Sequence, residues 1–395
     1  MMENPFRYGG IVTGAYFADR TVEIRDLKRE MENINRVFLV SPRRFGKTCL
    51  LYNLGKHLEE NGIAWTYLDL NAFPDLRHFA GAMASFSAKA LESNSDRLLK
   101  YFSGFRRLHP KLGMDPDGNI TASLEISTEE KDPLSALIEG MNQAQNLAAK
   151  KKKRLVVMID EFSDIEKYDG LAIEKAMRSE IQKHSHIGYI FSGSEQSMML
   201  AMIQDKTRPF YKLGRIMELG PIQRESYSRF ILGWLEKGGY AIRNEDLEGI
   251  FSLGKDVPYN IQRLCNTMWE TAVESRAITA DVIQSLPLII ARQDSPHYEM
   301  IWQSATKSQK NLLIALSDDP HGLVFSRDFQ MSHGIGPSSS IKASLDSLLK
   351  KGILARAFDN RYIFVDEFMP FWIRDIRKGK GGRPSLFKTT RIAIV

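Results

Sequence analysis

The sequence predicts an α/β protein: a parallel sheet flanked by helices, then a small helical domain, then a C-terminal winged helix-turn-helix. Three observations carry this. Strand-like apolar runs alternate with helix-like stretches over residues 1–220. Residues 221–296 carry helical periodicity, with Phe230, Ile231 and Trp234, then Leu247, Ile250 and Phe251, then Ile261 and Leu264, and no strand-like alternation. Beyond residue 297 the order is three helices and a short β-hairpin, the order of a winged helix.

Strands are expected at 37–40, 64–70, 155–159, 187–191 and 216–219. The first is Val37, Phe38, Leu39 and Val40; it breaks at Ser41-Pro42-Arg43-Arg44-Phe45-Gly46-Lys47-Thr48 and resumes as a helix with Leu50, Leu51, Leu54 and Leu58 on one face. Strand, loop and helix in that order are the context in which G-x-x-x-x-G-K-[ST] reads as a phosphate-binding loop, with Ser41 in place of the first glycine. Amides at the helix start would wrap the phosphates of a nucleotide. Lys47 would reach the β- and γ-phosphates and the Thr48 hydroxyl would bind Mg²⁺. Cys49 follows directly and is counted with the loop, although its side chain reads as a small buried filler.

Between the second and third strands, residues 110–126 read as an inserted β-hairpin turning at Asp115-Pro116-Asp117-Gly118-Asn119. Either decoration or a partner contact accounts for it. The basic run 150–154 suits a helix C-terminus. The third strand, Leu155 to Ile159, ends in Asp160 and Glu161, which would hold Mg²⁺ and act as general base.

In the winged helix, helices are expected at 309–316, 326–333 and 338–350, with a hairpin at 353–364 turned by Asp359-Asn360. The third helix opens with a Pro337-Ser338-Ser339 cap signal and turns Ile341, Leu345, Leu348 and Leu349 inward. It offers Lys342, Ser344, Asp346, Lys350 and Lys351 outward. Phe368, Phe371 and Trp372 would fasten the last helix to the domain.

A length of 395 residues suggests two or three domains, and 43% hydrophobic with 26% charged residues is ordinary for a globular protein. No apolar run approaches the ~18–20 residues of a membrane span, and no signal peptide is indicated at Met1. Two cysteines, Cys49 and Cys265, cannot build a disulfide framework and fit a reducing cytosol, so a cytoplasmic location is expected. The net charge of +6 is concentrated: residues 373–395 hold Arg374, Arg377, Lys378, Lys380, Arg383, Lys388 and Arg391 against Asp375 alone. The body is therefore not a generally basic nucleic-acid binder.

Taken together, the chain resembles the AAA+-related STAND ATPases, in particular the archaeal-type ATPases. Phe17-Ala18-Asp19-Arg20-Thr21-Val22-Glu23-Ile24 is similar to that family's F-x-x-R-x-x-E-[IL] box, and residues 41–48 to its [GS]-P-R-R-x-G-K-T loop. Residues 155–161 resemble its acidic strand end, Phe191-Ser192-Gly193-Ser194 its s-G-S ending, and Tyr211-Lys212-Leu213-Gly214-Arg215 its l-y-G-R segment. Asp256-Val257-Pro258-Tyr259 is similar to its G-x-P-Y signature, with Asp256 in place of the glycine.

The resemblance implies an AAA+-like core with a helical lid: Phe17, Arg20 and Pro258 near the adenine, Ser192 or Ser194 as a sensor of the γ-phosphate, and Arg215 reaching a neighbouring subunit's nucleotide. Arg43 and Arg44 would face solvent or support the phosphates, and Arg263 stands in for a second sensor. The domains expected are 1–220 (ATPase core), 221–296 (lid), 297–376 (winged helix) and 377–395 (basic tail).

Three functions compete. The first is a switch ATPase, with ATP and Mg²⁺ as cofactors and hydrolysis that is slow or partner-stimulated; ATP is preferred to GTP because no N-K-x-D motif follows the core. The second is a DNA-binding regulator whose nucleotide site is structural. The third is an interaction scaffold in a defence or mobile-element system. Duplex DNA or a partner protein at the winged helix, and a nucleotide-dependent homo-oligomer, are the partners considered, with no membrane.

Overall fold

The computed structural model describes residues 2–103, 105, 107–114, 120–126, 132–357 and 360–378. The expected turn at Asp115-Pro116-Asp117-Gly118-Asn119, Asp359, and the tail residues Lys380, Arg383, Lys388 and Arg391 lie outside them. Two compact units result: Arg7–Phe230 with Asp256–Tyr259, and Met1–Phe6 with Ile231–Lys255 and Asn260–Val395.

The first unit is built on a parallel sheet of β1 (Arg36–Val40), β2 (Ala64–Asp69), β5 (Leu155–Asp160), β6 (Ile187–Gly193) and β7 (Arg215–Glu218), in the order β2-β5-β6-β1-β7. All five expected strands are present. β5 and β6 are buried along their whole length, which explains why they read as continuous apolar runs rather than alternating ones. Leu50, Leu51, Leu54 and Leu58 of helix Lys47–Glu60 pack with Leu27 and Met31 on one face. Phe79, Met83, Leu137 and Met141 cover the other. The insertion is an antiparallel pair, β3 (Leu108–Met114) with β4 (Ile120–Ile126), as its turn residues suggested.

His184 shows how burial is tolerated in this unit. Its ring is 4% exposed; Nδ1 accepts from Tyr189 OH (2.8 Å) and Nε2 donates to Asn142 Oδ1 (3.2 Å), the pattern of a neutral imidazole. Burial holds its pKa down at about 4, with Glu180 pulling it up and Arg36 and Lys183 pushing it down. Between pH 6.5 and about 4 the unfolded chain therefore binds a proton that the native chain does not, so stability falls as pH falls. We expect His184→Gln to flatten the loss of unfolding free energy between pH 7 and pH 5 by about 2 kcal/mol, read by urea titration at both pH values.

In the second unit, helices Asn244–Gly254 and Ala280–Gln293 precede the winged helix. Helices Lys307–Asp318, Arg327–His333 and Ser338–Lys350 lead to β8 (Leu354–Arg356) and β9 (Tyr362–Phe364), close to the expected order and bounds. The first of these starts at a capping box between Thr306 and Gln309. Two expectations need correction. Ser344 points inward, 6% exposed, because it shares the face of Ile341, Leu345 and Leu348. Pro337 is the N-cap of Ser338–Lys350, but no side chain caps that helix. The last helix, Met369–Lys378, is fastened by buried Phe368 and Trp372, whose indole donates to Ser295 Oγ at 2.8 Å. Asp375 pairs with Arg292, and Arg377 with Asp318. Among the described residues no helix is long and apolar enough to cross a membrane.

Candidate functional site

Strand order builds the site. β6 lies between β5 and β1, so the C-terminal ends of these three strands are neighbours. That end of a parallel sheet is where ligands bind. Ser192 stands in register with Leu39, and Asp160 with Asp69 at the end of β2.

The loop after β1 turns through two left-handed residues, Arg44 (φ 71°) and Gly46 (φ 85°), before the helix begins at Lys47. At Gly46 any side chain would be strained. No side chain caps this helix, so its first amides are left for an anion, as a phosphate loop requires. Lys47 is 7% exposed; its Nζ lies 3.0 Å from Glu161 Oε1 and 3.9 Å from Asp160 Oδ1. Four donors meet on the Asp160 carboxylate. Oδ2 accepts from Thr48 Oγ1 (2.9 Å) and Tyr67 OH (2.9 Å), while Oδ1 accepts from Ser192 Oγ and the Glu161 amide (3.0 Å). Glu161 adopts a left-handed backbone (φ 49°), a cost often met at functional sites. Its Oε2 accepts from the amide (3.0 Å) and hydroxyl (2.8 Å) of Ser194. The two serines thus divide the acids: Ser192 serves Asp160 and Ser194 serves Glu161.

Thr48 and Asp160 supply a hydroxyl and a carboxylate, hard oxygen donors that fit Mg²⁺, an ion held in phosphate sites by few protein ligands.

The remaining expected residues fall differently. Arg20 is 3% exposed and braces the loop: it donates to the carbonyls of Phe45 (3.2 Å), Gly220 (2.8 Å) and Pro221 (3.4 Å) and pairs with Glu23 (2.6 Å). Its guanidinium is committed to protein partners rather than aimed at a base. Phe17 packs on the core beneath. Ser41 is buried, donating its amide to Gly193 O at 3.3 Å and its hydroxyl to the carbonyl of Pro42 at 3.1 Å. Cys49 is half-buried and accepts from Val12 N (3.3 Å), and burial pushes its thiol pKa up; it pins the preceding segment to the helix.

Arg43 is exposed, 3.9 Å from Glu195. Arg44 lies over the Tyr259 ring (5.3 Å), and its carbonyl accepts from Tyr259 N (3.2 Å). Pro258 opens helix Pro258–Thr271 and accepts from Tyr227 OH at 3.1 Å. Asp256, where the resemblance expects glycine, has φ 55°, so the backbone there does ask for glycine; Asp256 meets it while pairing with Arg224 (2.8 Å). Arg263 is paired with Asp294 (2.6 Å) in the other unit. Arg215 starts the edge strand opposite Val37, three residues before the strand end, and pairs with Glu30 (2.7 Å). It is not among the residues gathered at Lys47.

Sequence reasoning missed Tyr67 and Asp69 of β2. Burial, and after it the Asp160 and Glu161 charges, push the Asp69 carboxyl pKa up. The available signal was the polar end of a strand predicted to lie in the same parallel sheet.

Fold and site define the class: a P-loop, AAA+-like ATPase-type protein carrying a winged helix domain. The chain belongs to the family described as an ATPase domain predominantly from Archaea, which residues 17–264 match. Residues 296–375 match a family described as a probable winged helix domain. No curated protein matches the sequence. Among solved structures the chain is similar to the Walker-type ATPase of Pyrococcus abyssi, with TM-score 0.60 and 15% identity over 94% of this chain and 99% of that one. It is also similar to the ORC2 protein of Aeropyrum pernix, solved as ADPNP–ADP complexes, with TM-score 0.51 and 12% identity over 96% and 98%. At these identities the likeness is one of fold.

Proposed function

We propose that this chain binds ATP with Mg²⁺, hydrolyses it slowly, and uses nucleotide state as a switch read by its winged helix. The observation that carries this reading is the Lys47–Glu161 and Thr48–Asp160 pairing at an uncapped helix start. The amides at that start and Lys47 bind the phosphates, and the base lies toward Pro258 and the Tyr8–Tyr259 ring pair. Thr48 would hold the metal, with Asp160 behind it fixing the hydroxyl, and the metal would supply positive charge that neutralises the phosphates. Phosphates compete with Glu161 for Lys47; Glu161, still held by Ser194, then has one oxygen available to take a proton from water. Arg44 supports the switch, since it joins the loop to Tyr259, from which the helix runs on into residues of the other unit. The lid and winged helix act as separate domains in this reading.

Duplex DNA is the partner we favour for the winged helix. Lys342, Lys350 and Lys351 are exposed on or just after its third helix, with Arg356 on β8, against Asp346 alone. In an assembly, Arg215 would have to leave Glu30 to reach a neighbour's phosphates.

Calorimetric titration with ATP and Mg²⁺, then DNA retention across a salt series, tests the whole reading. The expected result is saturable ATP binding, and DNA affinity that falls steeply with salt and changes with nucleotide. Heatless titration of the folded chain refutes the nucleotide site. DNA retention indifferent to ATP favours a regulator with a structural nucleotide, and no retention at any salt favours a protein partner.

A further inference from the structure

Tyr67 belongs to β2 and pairs in register with Met158, so Asp160 is its diagonal neighbour two residues on, within reach of a long aromatic side chain. Its hydroxyl donates to Asp160 Oδ2 at 2.9 Å, the oxygen that also accepts from Thr48. A phenol keeps its proton at neutral pH, so the group serves as a donor to that oxygen. The ring is held in place. Its centroid lies 4.8 Å from that of Tyr52, one helical turn after Thr48, and Tyr52 in turn meets Trp65 edge-on at 5.9 Å.

A carboxylate offers about four lone-pair positions, and here four donors occupy them. Rotation of the Asp160 carboxylate is thereby blocked. Thr48 spends its one proton on Oδ2, which leaves the lone pairs of its oxygen for a cation.

We propose that Tyr67 is a positioning residue for magnesium: its phenol fixes the Asp160 carboxylate in the orientation that presents Thr48 to the metal, an assignment that rests on the nucleotide reading above. The purely structural alternative is a buried phenol that merely finds an acceptor. The two differ in what magnesium does. A structural phenol changes nucleotide affinity with and without the metal alike, whereas a positioning phenol changes only the metal-dependent part.

The test is ATP affinity of the full chain by calorimetry, in excess Mg²⁺ and in EDTA, for wild type, Tyr67→Phe and Tyr52→Phe, with melting temperatures as a check on folding. Loss of an outer partner of a metal ligand typically costs ~10–100-fold in metal affinity, and with three donors still on Asp160 we expect about tenfold. Tyr67→Phe should lose about tenfold of the Mg²⁺ enhancement and keep its affinity in EDTA. Tyr52→Phe should keep both. An undiminished Mg²⁺ enhancement in Tyr67→Phe overturns the assignment, as does an equal loss in both buffers. A matching loss in Tyr52→Phe would assign the effect to ring packing. If wild type binds no ATP in either buffer, the nucleotide reading itself falls.

Discussion

Lys47→Ala is expected to weaken ATP binding by about 100-fold or more, the scale of truncating one partner of a buried charge pair. Its ammonium, 7% exposed, sits where the loop meets the acids of β5, and its contacts at 3.0 and 3.9 Å are both to carboxylates. A triphosphate would replace those carboxylates as the counter-charge. The variant should still fold, because Asp160 keeps its four donors and Glu161 keeps both bonds from Ser194. Calorimetry with a folded variant reads the result directly. An affinity within about threefold of wild type, well below the loss expected for such a charge, would remove Lys47 from phosphate binding.

Glu161→Gln should behave in the opposite manner, with ATP still bound and hydrolysis slowed by about 10²–10⁴-fold, the range a positioned general base supplies. Oε1 is engaged by Lys47 and Oε2 by Ser194, so the acid is held on both sides until phosphate draws the lysine away. Glutamine keeps the shape but cannot accept a proton at neutral pH. Its amide nitrogen also cannot accept from Ser194 as Oε2 does. Single-turnover measurement of phosphate release separates this from a binding defect. Equal turnover of the two proteins would exclude Glu161 as the base.

Much of the site was legible because its parts are local. The run from Val37 to Leu58 states strand, loop and helix in one stretch, and Gly46 with Lys47 and Thr48 marks the turn. The acids after Ile159 were readable because a strand buried on both faces leaves only its end for charge. Other features had no local signature. Arg20 invited assignment to a ligand, yet it is spent on carbonyls of Phe45, Gly220 and Pro221, the last two about 200 positions away. Ser344 read as outward, but the pitch of its helix turns it in with Leu345 and Leu348. Ser192 lies within β6 and Ser194 just past its end, while Glu161 turns left-handed straight after β5, so Ser192 meets Asp160 and Ser194 meets Glu161.

Sequence by itself determined the chemistry on offer: a cation and a hydroxyl at a helix start, two acids at a strand end, and the α/β architecture that carries them. Those signals are periodicity and turn chemistry, which act over a few residues. Only the tertiary structure decided which groups share an atom. Insertion of β6 between β1 and β5 set the spacing, and β2 at the sheet edge brought the Tyr67 phenol onto the same carboxylate oxygen as Thr48. Strand order joins residues far apart in the chain through backbone pairing, and no stretch of sequence short enough to show a pattern contains both partners.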